Sequence, residues 1–232
     1  MRIALLSASA LVLAACGAET ATPPSAEASP APEAAREASA PEEVVEFGSS
    51  GTYTIDPGHT SVIFQIPHMG LSNYTARFTD VDATLAFHPE DAALTALNVT
   101  IDAASVATNY VGDYKATHPK SEHDSWDQDV AMDPKWMNAG EHPTITFAAT
   151  EITKTGPRTA DVTGDLTFLG VTKPLTLDVT YNGSIDMRGT EKIGFSATGT
   201  VTRSEFGMGA YLPNIGDDIG LVIETEFAKT GE

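Results

Sequence analysis

The sequence has little positive charge. Its 232 residues include 13 Lys+Arg against 32 Asp+Glu, which gives a formal net charge of -19 at pH 7. Proteins that bind nucleic acids neutralise backbone phosphates with lysine and arginine, and here the field of the whole molecule would oppose that contact. We therefore expect no nucleic acid among the partners.

Cysteine is almost absent, because Cys16 is the only one. A single cysteine forms no internal disulfide and builds no CxxC metal site. The chain also lacks a Gly-x-Ser-x-Gly elbow, a Gly-x-Gly-x-x-Gly turn after a strand, a Walker loop and a His-Glu-x-x-His helix. We predict no enzymatic activity, no catalytic residue, no cofactor and no metal.

The amino terminus is typical of a secreted protein. Arg2 is followed by an apolar run and small residues, which predicts a signal peptide over residues 1–15 that is too short to span a bilayer. The junction from Leu13 to Cys16 resembles the lipobox of bacterial lipoproteins, so Cys16 is predicted to be acylated. A small-residue cleavage site that happens to contain cysteine is the alternative.

A spacer is expected over residues 16–49, between that anchor and a domain. The thirty residues 17–46 include nine Ala, seven Glu and five Pro and no aromatic residue. Such a composition buries too little apolar surface to offset its ordering entropy, and the spaced prolines oppose a helix. We therefore predict a disordered tether.

From residue 50 to residue 232 the composition becomes that of a folded domain rich in strands. Apolar and polar residues alternate strictly over residues 175–181 and 195–202, which predicts antiparallel strands with one solvated face. Further strands are predicted at 52–56, 61–68, 74–88, 94–102, 143–152, 159–169 and 219–228. This pattern is typical of an all-β protein, either a closed barrel or a two-sheet sandwich.

The connection over residues 109–141 interrupts this pattern. It is polar, and Asp133 followed by Pro134 predicts one or two short helical turns that begin there. The acidic and histidine side chains of this connection match neither an EF-hand loop nor a zincin helix, so a solvated lid is favoured over a metal site. These side chains are His118, Glu122, His123, Asp124, Asp127 and Asp129.

Spaced motifs in the domain resemble the YceI family of lipocalin-like, polyisoprenoid-binding periplasmic proteins. They occur in the family's order and cover nearly all of residues 52–227. The motifs are Asp56-Pro57-Gly58-His59-Thr60-Ser61, His68-Met69-Gly70, residues 99–108, residues 142–147, residues 164–174 and Arg203-Ser204-Glu205-Phe206-Gly207-Met208. The resemblance implies an antiparallel, lipocalin-like β-barrel of about eight strands around a lipid cavity.

The candidate lining of that cavity is the more apolar face of each predicted strand. Each of these side chains could equally pack a solid core, because buried aromatics are normal core residues. The lining candidates are Phe64, Ile66, Phe78, Phe87, Phe147, Leu166, Phe168, Val179, Tyr181, Phe195 and Phe206.

Four polar residues are candidates for contact with a ligand head group. His59 and His68 match family positions in the resemblance, and local hydrogen bonding to the backbone is the alternative for both. Arg77 and Arg203 could meet an anionic head group, or each could pair with a nearby carboxylate. In the second case the ligand would be neutral at its head, closer to a quinone than to a diphosphate.

The sequence therefore predicts a non-enzymatic carrier of a polyisoprenoid or similar amphiphile in the cell envelope, anchored at the outer membrane and facing the periplasm. A soluble periplasmic protein is the alternative location. A binder of another amphiphile, such as a fatty amide, and an envelope enzyme that uses His and Asp residues at the barrel mouth are the alternative functions. The sequence leaves monomer and homodimer both open.

Overall fold

The computed structural model describes residues 44–231. The predicted signal peptide, the acylation site at Cys16 and most of the predicted tether lie outside the described residues. Within the described part of the chain, no helix is long and apolar enough to cross a membrane.

Eleven strands, two short helices and four 3-10 turns make up the described chain. The strands are β1 (Gly51–Ile55), β2 (Ser61–His68), β3 (Ser72–Phe78), β4 (Val81–Phe87), β5 (Ala96–Asp102), β6 (Val106–Thr108), β7 (Thr144–Lys154), β8 (Thr159–Phe168), β9 (Val171–Met187), β10 (Thr190–Thr202) and β11 (Asp218–Gly231). The helices are α1 (Tyr114–Thr117) and α2 (Trp126–Met132), and the 3-10 turns are Pro57–His59, Ala92–Leu94, Ala103–Ser105 and Arg203–Phe206.

These elements form a closed antiparallel barrel of eight strands. Three barrel strands are each broken once, so that β1 continues into β2, β3 into β4 and β5 into β6, and β7 to β11 supply the other five. Each of these eight barrel strands pairs with the barrel strand before and after it in the chain, and β11 closes the wall by pairing with both β1 and β2. The predicted all-β barrel of about eight strands is confirmed, although the strand predicted over 74–88 is interrupted at residues 79–80.

Alternation of side chains explains why the wall has an apolar inside. In β9, Leu175 and Leu177 are buried, whereas Thr176 and Asp178 are exposed. Successive residues of a strand point to opposite faces, so one face of each strand turns to the interior. The alternation predicted over residues 175–181 is therefore confirmed.

One end of the barrel, which we call the tether end, is where the chain enters β1. Residues 45–49 pack there: the Phe47 ring contacts the Tyr181 ring at 4.9 Å between centroids, and Gly48 N donates to Tyr181 Oη at 2.8 Å. Tyr53 is fully buried beneath them and donates to the main-chain oxygen of Ser49 at 2.7 Å. Residues 45–49, which the sequence assigns to the tether, thus cover this end.

The opposite end, which we call the lid end, is covered by residues 109–142 and 203–217. Trp136 and Met137 are buried in the main core, and Trp126 Nε1 donates to Tyr74 Oη at 2.8 Å. Asp129 is buried and accepts hydrogen bonds from the hydroxyls of Tyr114 and Ser121.

The lid contains two short helices, as predicted, and what begins at Asp133 is a hydrogen-bonded turn that does not continue into a helix. Helix α2 begins after Ser125, whose Oγ accepts from Gln128 N at 3.1 Å, and ends at Met132. Asp133 is extended, with ψ of 131°, as expected before a proline. Its Oδ1 accepts from Lys135 N at 2.8 Å and its main-chain oxygen accepts from Trp136 N at 2.9 Å, so it starts a single turn. Pro134 therefore follows the end of a helix.

Candidate functional site

An apolar cavity of about 270 Å³ lies inside the barrel. Among the residues that the structure describes, no charged side chain belongs to its wall, and the polar residues there are three threonines, Thr60, Thr95 and Thr225. An apolar cavity of about 150 Å³ already takes up a benzene-sized guest, so this cavity has room for a larger one. Its chemistry is suited to a hydrocarbon.

The cavity is long. On β11 every inward residue from Ile219 to Phe227 belongs to the wall. Eight residue steps at about 3.3 Å each cover roughly 26 Å of strand. Barrel strands tilt by about 35–45°, which leaves roughly 20 Å along the barrel axis. This shape favours an extended chain over a compact molecule.

The structure brings eight of the eleven lining candidates together on this wall. They are Phe64, Phe78, Phe87, Phe147, Leu166, Phe168, Val179 and Phe195. Their contact with a ligand stays a prediction, because a wall residue can also pack only against its neighbours.

The other three candidates lie off the cavity wall. Tyr181 is buried at the tether end, where its hydroxyl accepts the hydrogen bond from Gly48. Phe206 is buried at the lid end against Phe168, with 5.7 Å between ring centroids. Ile66 is half-buried and packs on the main core near the end of β2.

Neither candidate arginine faces the cavity. Arg77 is exposed on β3 between buried Ala76 and the wall residue Phe78, so strand alternation places it on the outer surface. Arg203 is 0 % exposed at the lid end. Burial lowers the pKa of its guanidinium, and the charge of Asp217 opposes that shift.

The Arg203 guanidinium is held by main-chain oxygens and not by a carboxylate. It donates to the oxygens of Gly216 and Met208 at 2.7 Å each, of Ile215 at 2.8 Å and of Ala210 at 2.9 Å. Four of its five N–H donors are therefore engaged. Arg203 organises the loop over residues 207–217 and has little left to offer a ligand.

His59 lies in a charged cluster on the outer wall. Its Nδ1 is 3.0 Å from Asp56 Oδ2, and Lys192 Nζ donates to the same oxygen at 2.5 Å and to Glu226 Oε2 at 3.4 Å. These contacts hold the pKa of Asp56 at about 2, mainly through Lys192. Asp56 also accepts from Gly58 N at 3.0 Å and so fixes the 3-10 turn.

A possible metal-ligand set lies in this cluster, because ligand atoms of Asp56, His59 and Glu226 lie within 4.8 Å of one another. The ammonium of Lys192 already contacts both carboxylates, so a cation there would have to displace it. His68, the other candidate histidine, is half-buried at the end of β2, where it forms a bridge with Ile215. The structure therefore does not bring the two candidate histidines together.

Sequence reasoning missed the threonines of the cavity wall, which contact the cavity through their apolar atoms. Thr60 directly follows His59, and Thr225 stands between Ile223 and Phe227 in a run of inward residues. Two polar residues in inward positions were the signal, and a pattern of apolar faces alone does not reveal them.

Proteins of one family resemble this chain both in sequence and in fold. The YceI-like domain family matches residues 53–227. A UPF0312 protein of Pectobacterium atrosepticum is 34% identical over 169 residues, which are 72% of this chain and 80% of that protein. The crystal structure of the Campylobacter jejuni YceI protein is 32% identical with a TM-score of 0.57, covering 72% of this chain and 90% of that one.

A structure of a polyisoprenoid binding domain from Saccharophagus degradans shares the fold, with a TM-score of 0.54 at 13% identity, and covers 77% of this chain and 98% of that one. The match to the family extends from β1 to β11 and so includes every strand of the barrel wall. The chain belongs to the YceI-like family.

Proposed function

We propose that this protein binds one long-chain amphiphilic lipid, a polyisoprenoid or an isoprenoid quinone-like molecule, inside the barrel and carries it without chemical change. The cavity is the observation that carries this proposal, since it is long and apolar and has no charged group on its wall. Each buried methylene-sized group contributes about 0.8 kcal/mol, so shape and apolar contact suffice to hold a long tail. The polyisoprenoid-binding domain that shares this fold supports the same ligand class.

The head group of the ligand is neutral in this proposal. Residues 50–232 contain 25 acidic and 11 basic residues. Arg203 is engaged by main-chain oxygens, Arg77 lies on the outer surface, and the ammonium of Lys192 is bound by two carboxylates. A diphosphate needs unengaged positive charge or oriented donors, and the cavity wall supplies neither.

The proposal places the protein in the cell envelope. Cys16 would be acylated, and the tether would hold the barrel at the outer membrane on the periplasmic side. Two or more acyl chains give stable anchoring where one is marginal. A soluble periplasmic form with a plain signal peptide is the alternative, and the chemical state of Cys16 distinguishes the two.

Mass spectrometry of an organic extract of the purified protein tests the proposal. We expect one class of neutral isoprenoid lipid, at up to one molecule per barrel. Recovery of a fatty amide would support the alternative amphiphile instead. An extract without lipid, together with no binding of a fluorescent prenyl probe, would contradict the carrier function.

A further inference from the structure

Four large apolar side chains are exposed on two adjoining loops at the lid end. Met69 N donates to the main-chain oxygen of Asn214 at 2.6 Å, so the turn between β2 and β3 lies against the loop over residues 207–217. The four side chains are 38–84% exposed. We call them the apolar rim, and they are Met69 and Leu71 of the turn and Tyr211 and Leu212 of the loop.

The apolar rim stands out because charge is missing around it. Residues 57–76 and 206–216 contain no Asp, Glu, Lys or Arg, although such residues make up 19% of the chain. Exposed apolar side chains at the tether end have a different setting, since Met187 on the hairpin between β9 and β10 stands between Asp186 and Arg188. The rim is therefore a neutral surface on an acidic protein.

Apolar contact continues from the rim to the cavity. The Tyr211 ring stacks on the Trp136 ring, with 5.6 Å between centroids. Trp136 is buried in the main core, and Met137, the next residue, is the one through which the lid lines the cavity. The rim thus lies beside the part of the lid that covers the cavity.

A lipid bilayer fits this surface better than a second protein does. Even an aromatic side chain buries only about 150–250 Å², so four partly covered side chains fall short of the about 800 Å² that each partner of a stable complex buries. A bilayer sets no such minimum, because every side chain that enters its interfacial region contributes by its own apolar area, and tyrosine is enriched there. Anionic head groups repel a protein of net charge -19, so the bilayer that fits carries neutral lipid.

We propose that the apolar rim docks on a membrane surface of zwitterionic lipid, so that the lid end faces the bilayer and the carried lipid is exchanged there. This inference rests on the proposed lipid carriage and adds the place of exchange. An anchor at Cys16 is compatible with it, because residues 16–43 can span at most about 100 Å. Four side chains give a weak and reversible contact, which washing of a membrane fraction would remove.

Equilibrium sedimentation with sucrose-loaded phosphatidylcholine vesicles tests the docking, without a washing step. The protein is the chain from residue 16 onward with Cys16→Ser, so that no acyl chain contributes. Leu71→Asp should lower the partition coefficient at least 10-fold, because it places a charge on the rim. Leu94→Asp is the matched control, since Leu94 is exposed on the 3-10 turn Ala92–Leu94 at the tether end, and it should leave the partition coefficient unchanged.

Vesicle composition and oligomeric state separate the bilayer from other occupants. Replacing a third of the phosphatidylcholine by phosphatidylglycerol should weaken binding, and added salt should restore it. Tighter binding to the anionic vesicles that salt abolishes would overturn the inference. A dimer in solution that Leu71→Asp dissociates would assign the rim to a second copy and would overturn it as well.

Transfer of a fluorescent prenyl lipid from the vesicles to the protein tests the exchange. Leu71→Asp should slow the transfer at least 10-fold and leave the affinity for a short, water-soluble prenyl probe unchanged. If Leu71→Asp keeps the parent's vesicle binding and transfer rate, or Leu94→Asp lowers them equally, the docking is wrong and the carriage stands. If the rim docks but no prenyl probe binds in either assay, the docking stands and the carriage is refuted.

Discussion

Filling the middle of the cavity should weaken lipid binding at least 100-fold while the barrel stays folded. Ala197 is the residue to enlarge, because it lies on the cavity wall near the centre of β10, opposite Val179 on one neighbouring strand and Ile223 on the other. Ala197→Phe adds a ring of six carbon atoms that projects into the space. A lipid chain that crosses the cavity would lose the burial of about six of its carbon atoms.

The magnitude follows from burial of hydrocarbon. Six carbon atoms at about 0.8 kcal/mol each set an upper bound of about 5 kcal/mol on the lost binding free energy. We expect the dissociation constant of a prenyl probe to rise at least 100-fold, which corresponds to a loss of about 2.7 kcal/mol of binding free energy. Stability should change by less than 1 kcal/mol, because the ring enters space that holds no protein atoms, whereas overpacking a filled core costs about 1–3 kcal/mol.

Fluorescent-probe titration and urea unfolding measure the two effects on the same preparation. Ala96→Phe is the matched control, since Ala96 is exposed on β5, and it should change neither quantity appreciably. If Ala197→Phe lowers the free energy of unfolding by 2 kcal/mol or more and leaves probe affinity unchanged, the interior is a packed core and the reasoning is refuted.

Three further predictions concern parts outside the cavity. The pKa of Asp56 is lowered to about 2, so the stability it contributes is present above its ordinary value near 3.8 and is lost as the pH falls through about 2. Urea unfolding should therefore show wild type and Asp56→Asn converging between pH 4 and pH 2, and parallel curves would contradict the role of Lys192. Arg203→Lys keeps the charge but has at most three donors for four main-chain oxygens, so it should lower the free energy of unfolding by about 1.5–3 kcal/mol, against about zero for exposed Arg188→Lys in thermal unfolding. Cys16→Ser should move the protein from the membrane to the soluble fraction, and unchanged partitioning would refute the anchor.

The sequence predicted the strands and their inward faces well because the strongest signal is local, whereas the closed barrel was implied by the resemblance to the YceI family. Period-two alternation is visible within a single strand, and it marked Leu175, Leu177 and their neighbours as inward residues without any knowledge of their partners. The breaks at residues 56–60 and 79–80 were harder to predict, since whether a strand is broken depends on the strand beside it.

The site was predicted only in part, for a related reason. An apolar face indicates the wall of a cavity, and eight of the eleven named residues lie there. Arg203 binds main-chain oxygens of a loop whose position depends on the rest of the barrel. Its sequence motif therefore marked Arg203 as a candidate but did not show which groups it contacts. Thr60 and Thr225 lie far apart in the chain, so the contact of 3.0 Å between their hydroxyl oxygens could not be read from the sequence.

The order of the strands has a consequence for how the cavity comes into being. Neighbouring strands of the eight-stranded wall follow one another in the chain, except at the seam, where β11 meets β1 and β2 and Thr52 pairs with Gly231. Contacts between distant segments carry a larger loop-closure entropy and form more slowly than local ones. The sheet can thus assemble first as an open, curved meander whose apolar face is accessible. The interior becomes enclosed only when the strands at the seam pair. A hydrocarbon chain lying on that sheet during closure would be enclosed as the protein folds.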